Sequence, residues 1–155
     1  MKTRSPRRQL DEFLKKYDPE IQKRAAQALQ IMRARFPGAT QLVYDNYNAL
    51  AIGFGPTERA SDAIFSIAAY PRWVSLFFLE GASLPDPEKI LQGTGNVVRH
   101  VVLTSPEVLN SPAVRTLMKV AVKQSGHTLQ DRTRGKLIIK SISAKQRPRR
   151  PARAK

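Results

Sequence analysis

Two histidines, twelve carboxylates and no cysteine are what this 155-residue chain offers to chemistry. The lack of cysteine removes thiolate nucleophiles, thiolate metal ligands and disulfides together. His100 stands inside an apolar stretch. Val98 and Val102 share its face if the stretch is a strand, and Val97, Arg99 and Val101 take the other. A histidine facing an apolar pocket can serve as a general base or a metal ligand. More often it is a hydrogen-bonded structural residue. His127 falls in a loop, so no His-x-x-x-His metal pair exists. No pair of acids has a spacing that demands acid–base chemistry, and no serine sits in the glycine frame of a nucleophile elbow. The residues give no catalytic constellation.

Asp45, Tyr47, Asn48 and Asp86 are the polar groups expected at loop ends around a sheet, where they could bind a small ligand with Arg99 and His100. Each also has a plainer role. Asp45 and Asn48 suit a turn, Asp86 caps the turn or helix at Pro87, and Tyr47 packs its ring. Gly93-Thr94-Gly95 could cradle an anion, with Lys89 or Arg99 adding charge. A phosphate loop normally opens a helix, however, and these glycines precede a strand. The alternative is a turn that needs positive φ.

The formal charge of +15 is unevenly spread. Residues 1–35 carry 10 basic and 4 acidic side chains, net +6. Residues 36–131 carry 7 and 8, net −1, and residues 132–155 carry 10 and none. The basicity therefore belongs to the ends. Arg115, Lys119 and Lys123 form a stripe at i, i+4, i+8 on one helix face, suited to a phosphate backbone or simply to solvent. Lys145, Arg147, Arg149, Arg150, Arg153 and Lys155 make an arginine-rich tail with no acid to neutralise it. Such segments bind polyanions through counterion release. No helix-turn-helix, zinc finger or RNA-binding strand motif accompanies it. The aromatics fall mostly within apolar strands, so no base-stacking platform is expected.

The elements that would position these groups can be read from periodicity and breakers. Residues 1–9 read as a basic flexible N-terminus. Leu10, Phe13, Leu14 and Tyr17 recur at helical spacing, and Asp18-Pro19-Glu20 starts a longer helix that Pro37-Gly38 ends. Leu42–Tyr44, Ala49–Phe54, Ala63–Ala69, Trp73–Leu79 and Val97–Leu103 read as strands. The first two are joined by a hairpin turn at 45–48. These strands are apolar on both alternating faces, so the second face is expected to meet helices, a partner or a ligand. Ser111-Pro112 opens a helix through Val114, Leu117, Met118 and Ala121 that Gly126 ends. A last strand runs through Leu137-Ile138-Ile139. Residues 143–155 read as an extended or disordered tail, separable from a single domain at 10–142.

Leu42-Val43-Tyr44-Asp45, Tyr47-Asn48-Ala49 and Phe54, followed by Leu84-Pro85-Asp86-Pro87, Leu91, Gly93, Gly95, Arg99 and His100, resemble the YdhG-like family of small, mostly bacterial domains of largely unknown function. The resemblance covers about residues 10 to 142. It implies an α+β, two-layer sandwich: a mainly antiparallel sheet of five to six strands packed by N-terminal and C-terminal helices. One branch of the family is a frataxin-like intracellular iron chaperone, so iron enters as a possible cargo through the resemblance alone. Otherwise no cofactor is expected.

The leading expectation is a cytoplasmic, non-enzymatic binding domain whose basic ends contact nucleic acid or another polyanion. Iron delivery and a small enzyme with a pocket near His100 are the alternatives. No apolar run approaches the roughly 20 residues of a membrane span. No apolar stretch follows Arg4, Arg7 and Arg8, as a secretory signal would require.

Overall fold

A proline opens each long helix of the computed structural model, which describes residues 4–152. The helices are α1 (Pro6–Leu14), α2 (Pro19–Arg35) and α3 (Pro112–Ser125). Ser5, Asp18 and Ser111 precede them, and proline's fixed φ suits the first turn, where no N–H is needed. The Ser5 hydroxyl accepts from the Arg8 amide at 3.2 Å. Residues 6–9, expected to be flexible, are therefore the first turn of α1. Gly126, at φ 75°, ends α3 in the left-handed region.

Six strands form one sheet: β1 (Thr40–Asp45), β2 (Leu50–Gly55), β3 (Phe65–Ala69), β4 (Val74–Phe78), β5 (Arg99–Val102) and β6 (Leu137–Ile142). Their spatial order is β5-β4-β3-β2-β1-β6. Neighbours from β1 to β5 pair antiparallel, while β6 returns after α3 to lie parallel to β1. The fold is an α+β sandwich with a mixed sheet, mainly antiparallel.

The cross-strand register divides the residues between two faces. Asp45, Leu50, Ala69 and Val74 share one row, and Val43, Ile52, Ile67, Leu76 and Val101 the next. With Phe54, Phe65 and Phe78 they face the helices. The buried residues of all three helices join them in a single core. Phe65 stacks on Phe36 at 5.1 Å between centroids and meets Phe78 edge-on at 5.6 Å. Each such buried apolar side chain contributes about 1.5–3 kcal/mol.

The other face is built differently. Its rows run Tyr44–Ala51–Ala68–Ser75–Val102 and Leu42–Gly53–Ser66–Phe77–His100. The connection from β2 to β3 folds over one corner. A Cβ on Gly55 would lie 2.8 Å from the Ala63 Cα, so only glycine allows this approach. The rest of the face carries none of the three long helices. Among the described residues no helix is long and apolar enough to cross a membrane.

Candidate functional site

Asp45 ends β1 on the helix-facing side, because it pairs with Leu50, and it is fully buried. Lys16, just after α1, brings its Nζ to 2.7 Å from one carboxylate oxygen. Arg149 brings Nη2 to 2.9 Å from the other. The Arg149 guanidinium also lies over the Tyr17 ring, 5.9 Å from its centroid. Burial alone would raise the Asp45 carboxyl, but hydrogen bonds from Lys16, Gln146 and Arg149 hold it below the usual carboxylate range. Burial pushes the Tyr17 phenol the other way, up. Asp45 is committed to the interior of the protein and offers nothing to a ligand.

Among the described residues the tail takes no helix or strand after β6, yet it lies against the body. The Arg147 amide donates to the Tyr47 carbonyl at 2.8 Å. Arg150 donates to the Lys16 carbonyl at 3.2 Å and reaches Asp18 at 3.6 Å. Arg149, counted on sequence among the polyanion contacts, is buried and leaves that set. Lys145, Arg147 and Arg150 remain exposed. Arg153 and Lys155 lie outside the described residues.

The turn at Gly93-Thr94-Gly95 joins the bridge between Gln92 and His100. Gly93 has φ 122°, the backbone that only glycine takes easily. Arg99 donates into the turn, to the carbonyls of Gly95 and Val98. The cation is spent on loop carbonyls and does not help form an anion cradle. Asp86 is likewise occupied, accepting from the Ile90 amide at 3.0 Å and the Leu91 amide at 2.9 Å. His100 lies on the face away from the helices, its ring 5.3 Å from that of Phe77. Arg99, paired with Phe78, belongs to the opposite face. Asp45 and His100 are four strands apart, about 19 Å at the usual spacing. Asp45, Tyr47, Asn48, Asp86, Arg99 and His100 therefore do not converge, and the pocket expected around His100 is not formed by them.

Arg115, Lys119 and Lys123 are all exposed on α3, as the periodicity implies. The C-terminal half of that helix sits near the β4–β5 end, where Gln124 meets Ser83. The tail lies by β1 and β6. The basic groups thus flank opposite ends of a six-stranded sheet about 24 Å across.

Two concave features escaped the sequence reading. One is a cavity of about 360 Å³ lined by Asp62, Glu80, Ser83, Gln124 and His127 with apolar Ile64 and Phe78. Its Asp62 carboxylate accepts from the Thr57 hydroxyl at 2.6 Å. The other is an open groove of about 500 Å³ on the sheet face that the helices leave bare. Its floor is Ala51, Ser66 and Ala68, and Tyr47, Tyr70 and Phe77 line it. The aromatics were expected mostly within apolar strands, and three of them, Tyr47, Tyr70 and Phe77, line this groove. The small residues alternating with large ones in β2 and β3 were the available signal.

Among the described residues no three of His, Asp and Glu gather where they could hold a metal ion. The carboxylates of the first two helices meet arginines: Asp11 with Arg7, Glu12 with Arg4 and Arg8, Glu20 with Arg24. No family model matches the chain, and searches of curated proteins and of solved structures find no match.

Proposed function

We propose that this protein is a cytoplasmic binding domain for polyanions, nucleic acid foremost, and catalyses no reaction. We read its frame as YdhG-like on the pattern of residues 84–100. The observation that carries the functional reading is a set of exposed cations without carboxylate partners. Arg115, Lys119, Lys123, Lys145 and Arg147 are exposed and meet no carboxylate within 4.0 Å among the described residues. Solvated cations at two ends of a sheet can each displace a counterion from a phosphate backbone, and that release drives binding.

The test is affinity for nucleic acid, single-stranded and duplex, across a salt series. The native chain is compared with Arg115→Gln/Lys119→Gln/Lys123→Gln and with Lys145→Gln/Arg147→Gln. The logarithm of duplex affinity should fall with the logarithm of salt by about 0.9 per phosphate contacted, and each lost contact should reduce that slope by about one. Absence of salt-dependent binding by the native chain at low ionic strength would refute the reading. Neutralisation is preferable to deleting residues 143–155, because deletion also removes buried Arg149.

A further inference from the structure

We infer that the bare sheet face is a stacking trough for single-stranded nucleic acid. This rests on the polyanion reading and deepens it by naming the occupant. The floor is made of the short side chains Ala51, Ser66 and Ala68, with Ala51 paired to Ala68 across β2 and β3. The same strands carry Leu50, Ile52, Phe54, Phe65 and Ile67 on the side packed by helices. Short residues on one face leave depth where the other face is filled.

The rings of Tyr47, Tyr70 and Phe77 line that depth, and those of Trp73 and His100 stand against two of them. Phe77 and His100 stand together at one side, their rings 5.3 Å apart and tilted by 38°. Tyr70 and Trp73 stack at 4.6 Å with 17° between planes where β3 turns into β4. Tyr47 stands on the β1–β2 hairpin. Trp73 is 41% exposed and Tyr47 50%, so both rings keep surface open to contact. Aromatic rings beside a shallow floor suit nucleobases, which stack on them whatever their sequence. Asn46, Asn48 and Ser66 in the lining offer hydrogen bonds to base edges.

Charge selects among possible occupants. Among the described residues no carboxylate lines the groove. Arg147 lies over the Tyr47 ring at 5.9 Å, and exposed Arg72 sits in the turn between Tyr70 and Trp73. Cations thus stand beside rings at two rims, where phosphates would run while bases turn inward. A second copy would bring +15 against +15. A duplex keeps its bases stacked on each other and cannot present them to rings on a sheet.

The chain's one tryptophan, Trp73, reports on this site. Tryptophan emission is followed while the full chain is titrated with a short oligothymidylate, a duplex of similar length and heparin. The single strand should quench Trp73 saturably and bind more tightly than the duplex at equal salt. Phe77→Ala and Tyr47→Ala should each weaken single-strand binding by about tenfold and leave heparin binding unchanged. Ala51→Gln, which fills the floor, should do the same and keeps the test sound if Phe77→Ala fails to fold. Equal single-strand affinity in native, Tyr47→Ala and Ala51→Gln proteins, with heparin binding kept, would overturn the trough and leave the polyanion reading standing. A native chain that binds none of the three ligands would overturn both. Self-association abolished by Ala51→Gln would assign the face to a second copy and overturn the trough.

Discussion

Arg149 and Asp45, 104 residues apart in the chain, meet at 2.9 Å with both side chains buried. The carboxylate also holds Lys16 at 2.7 Å, so one acid near the chain's first hairpin ties down both basic ends. The tail is thus fastened to the body at one buried residue, while its flanking cations stay in solvent.

Removing the acid should cost more than removing either base. Asp45→Ala leaves the Arg149 guanidinium buried without a counter-charge, and breaking such a pair costs about 3–5 kcal/mol. Arg149→Ala leaves Asp45 with Lys16, so the loss should resemble that of a hydrogen bond to a charged group, about 1.5–3 kcal/mol. Urea denaturation of both variants gives the comparison. Truncation after residue 142 should lower the midpoint at least as much as Arg149→Ala. An unchanged midpoint would mean the latch adds nothing.

Stability should fall at both extremes of pH for separate reasons. The folded-state pKa of Asp45 is depressed below 3.8 by its hydrogen bonds. Its contribution is therefore present above about that pH and is lost as pH falls through the folded value. The folded-state pKa of Tyr17 is raised above 10.0, chiefly by burial. The stability of the neutral phenol is present below that pH and is lost as pH rises through the folded value. Urea midpoints measured from pH 2 to 7 should flatten in Asp45→Asn, and those from pH 8 to 11 in Tyr17→Phe. Matching limbs in variant and native protein would place the titration elsewhere.

Gly55→Ala should destabilise although it adds one methyl group. That Cβ would stand 2.8 Å from the Ala63 Cα and 3.1 Å from the Asp62 carbonyl oxygen. Both are backbone atoms, which cannot swing away as a side chain can. Overpacking of this kind costs about 1–3 kcal/mol. Thermal unfolding measures it, and a midpoint within a degree of native would show that the β2–β3 connection yields freely.

The fold was largely legible because its signals are local. Asp18-Pro19 and Ser111-Pro112 mark helix starts, and the apolar runs in β1 to β5 mark strands with boundaries only a few residues out. Ser5-Pro6 carried the same signal and was overlooked beneath its charge. The Asp45–Arg149 pair was not legible, since an arginine among arginines gives no sign that it will be buried across 104 residues. The ligand candidates failed for a related reason. Arg99 and His100 are adjacent in sequence, and strand alternation sends adjacent residues to opposite faces. The bare face could have been read from size. Leu50, Ile52 and Phe54 alternate with Ala51, Gly53 and Gly55, whereas apolar character alone treats both sets alike.

Two hydroxyls, one set against the sheet from the helix side and one on the sheet itself, should respond to deletion with opposite signs. Tyr17 donates to the Ala69 carbonyl at 2.7 Å and accepts from the Leu50 amide at 3.1 Å. Tyr17→Phe leaves both groups unpaired in the core, and each buried unsatisfied group costs about 1–3 kcal/mol. Ser75, on the bare face between Ala68 and Val102, is buried and its Oγ has no hydrogen-bond partner among the described residues. Ser75→Ala removes that hydroxyl without orphaning another group, so stability should stay level or rise by up to about 1 kcal/mol. Urea midpoints of the two variants give the comparison under one condition. A loss in Ser75→Ala as large as in Tyr17→Phe would show that the Ser75 hydroxyl has a partner after all, such as a buried water.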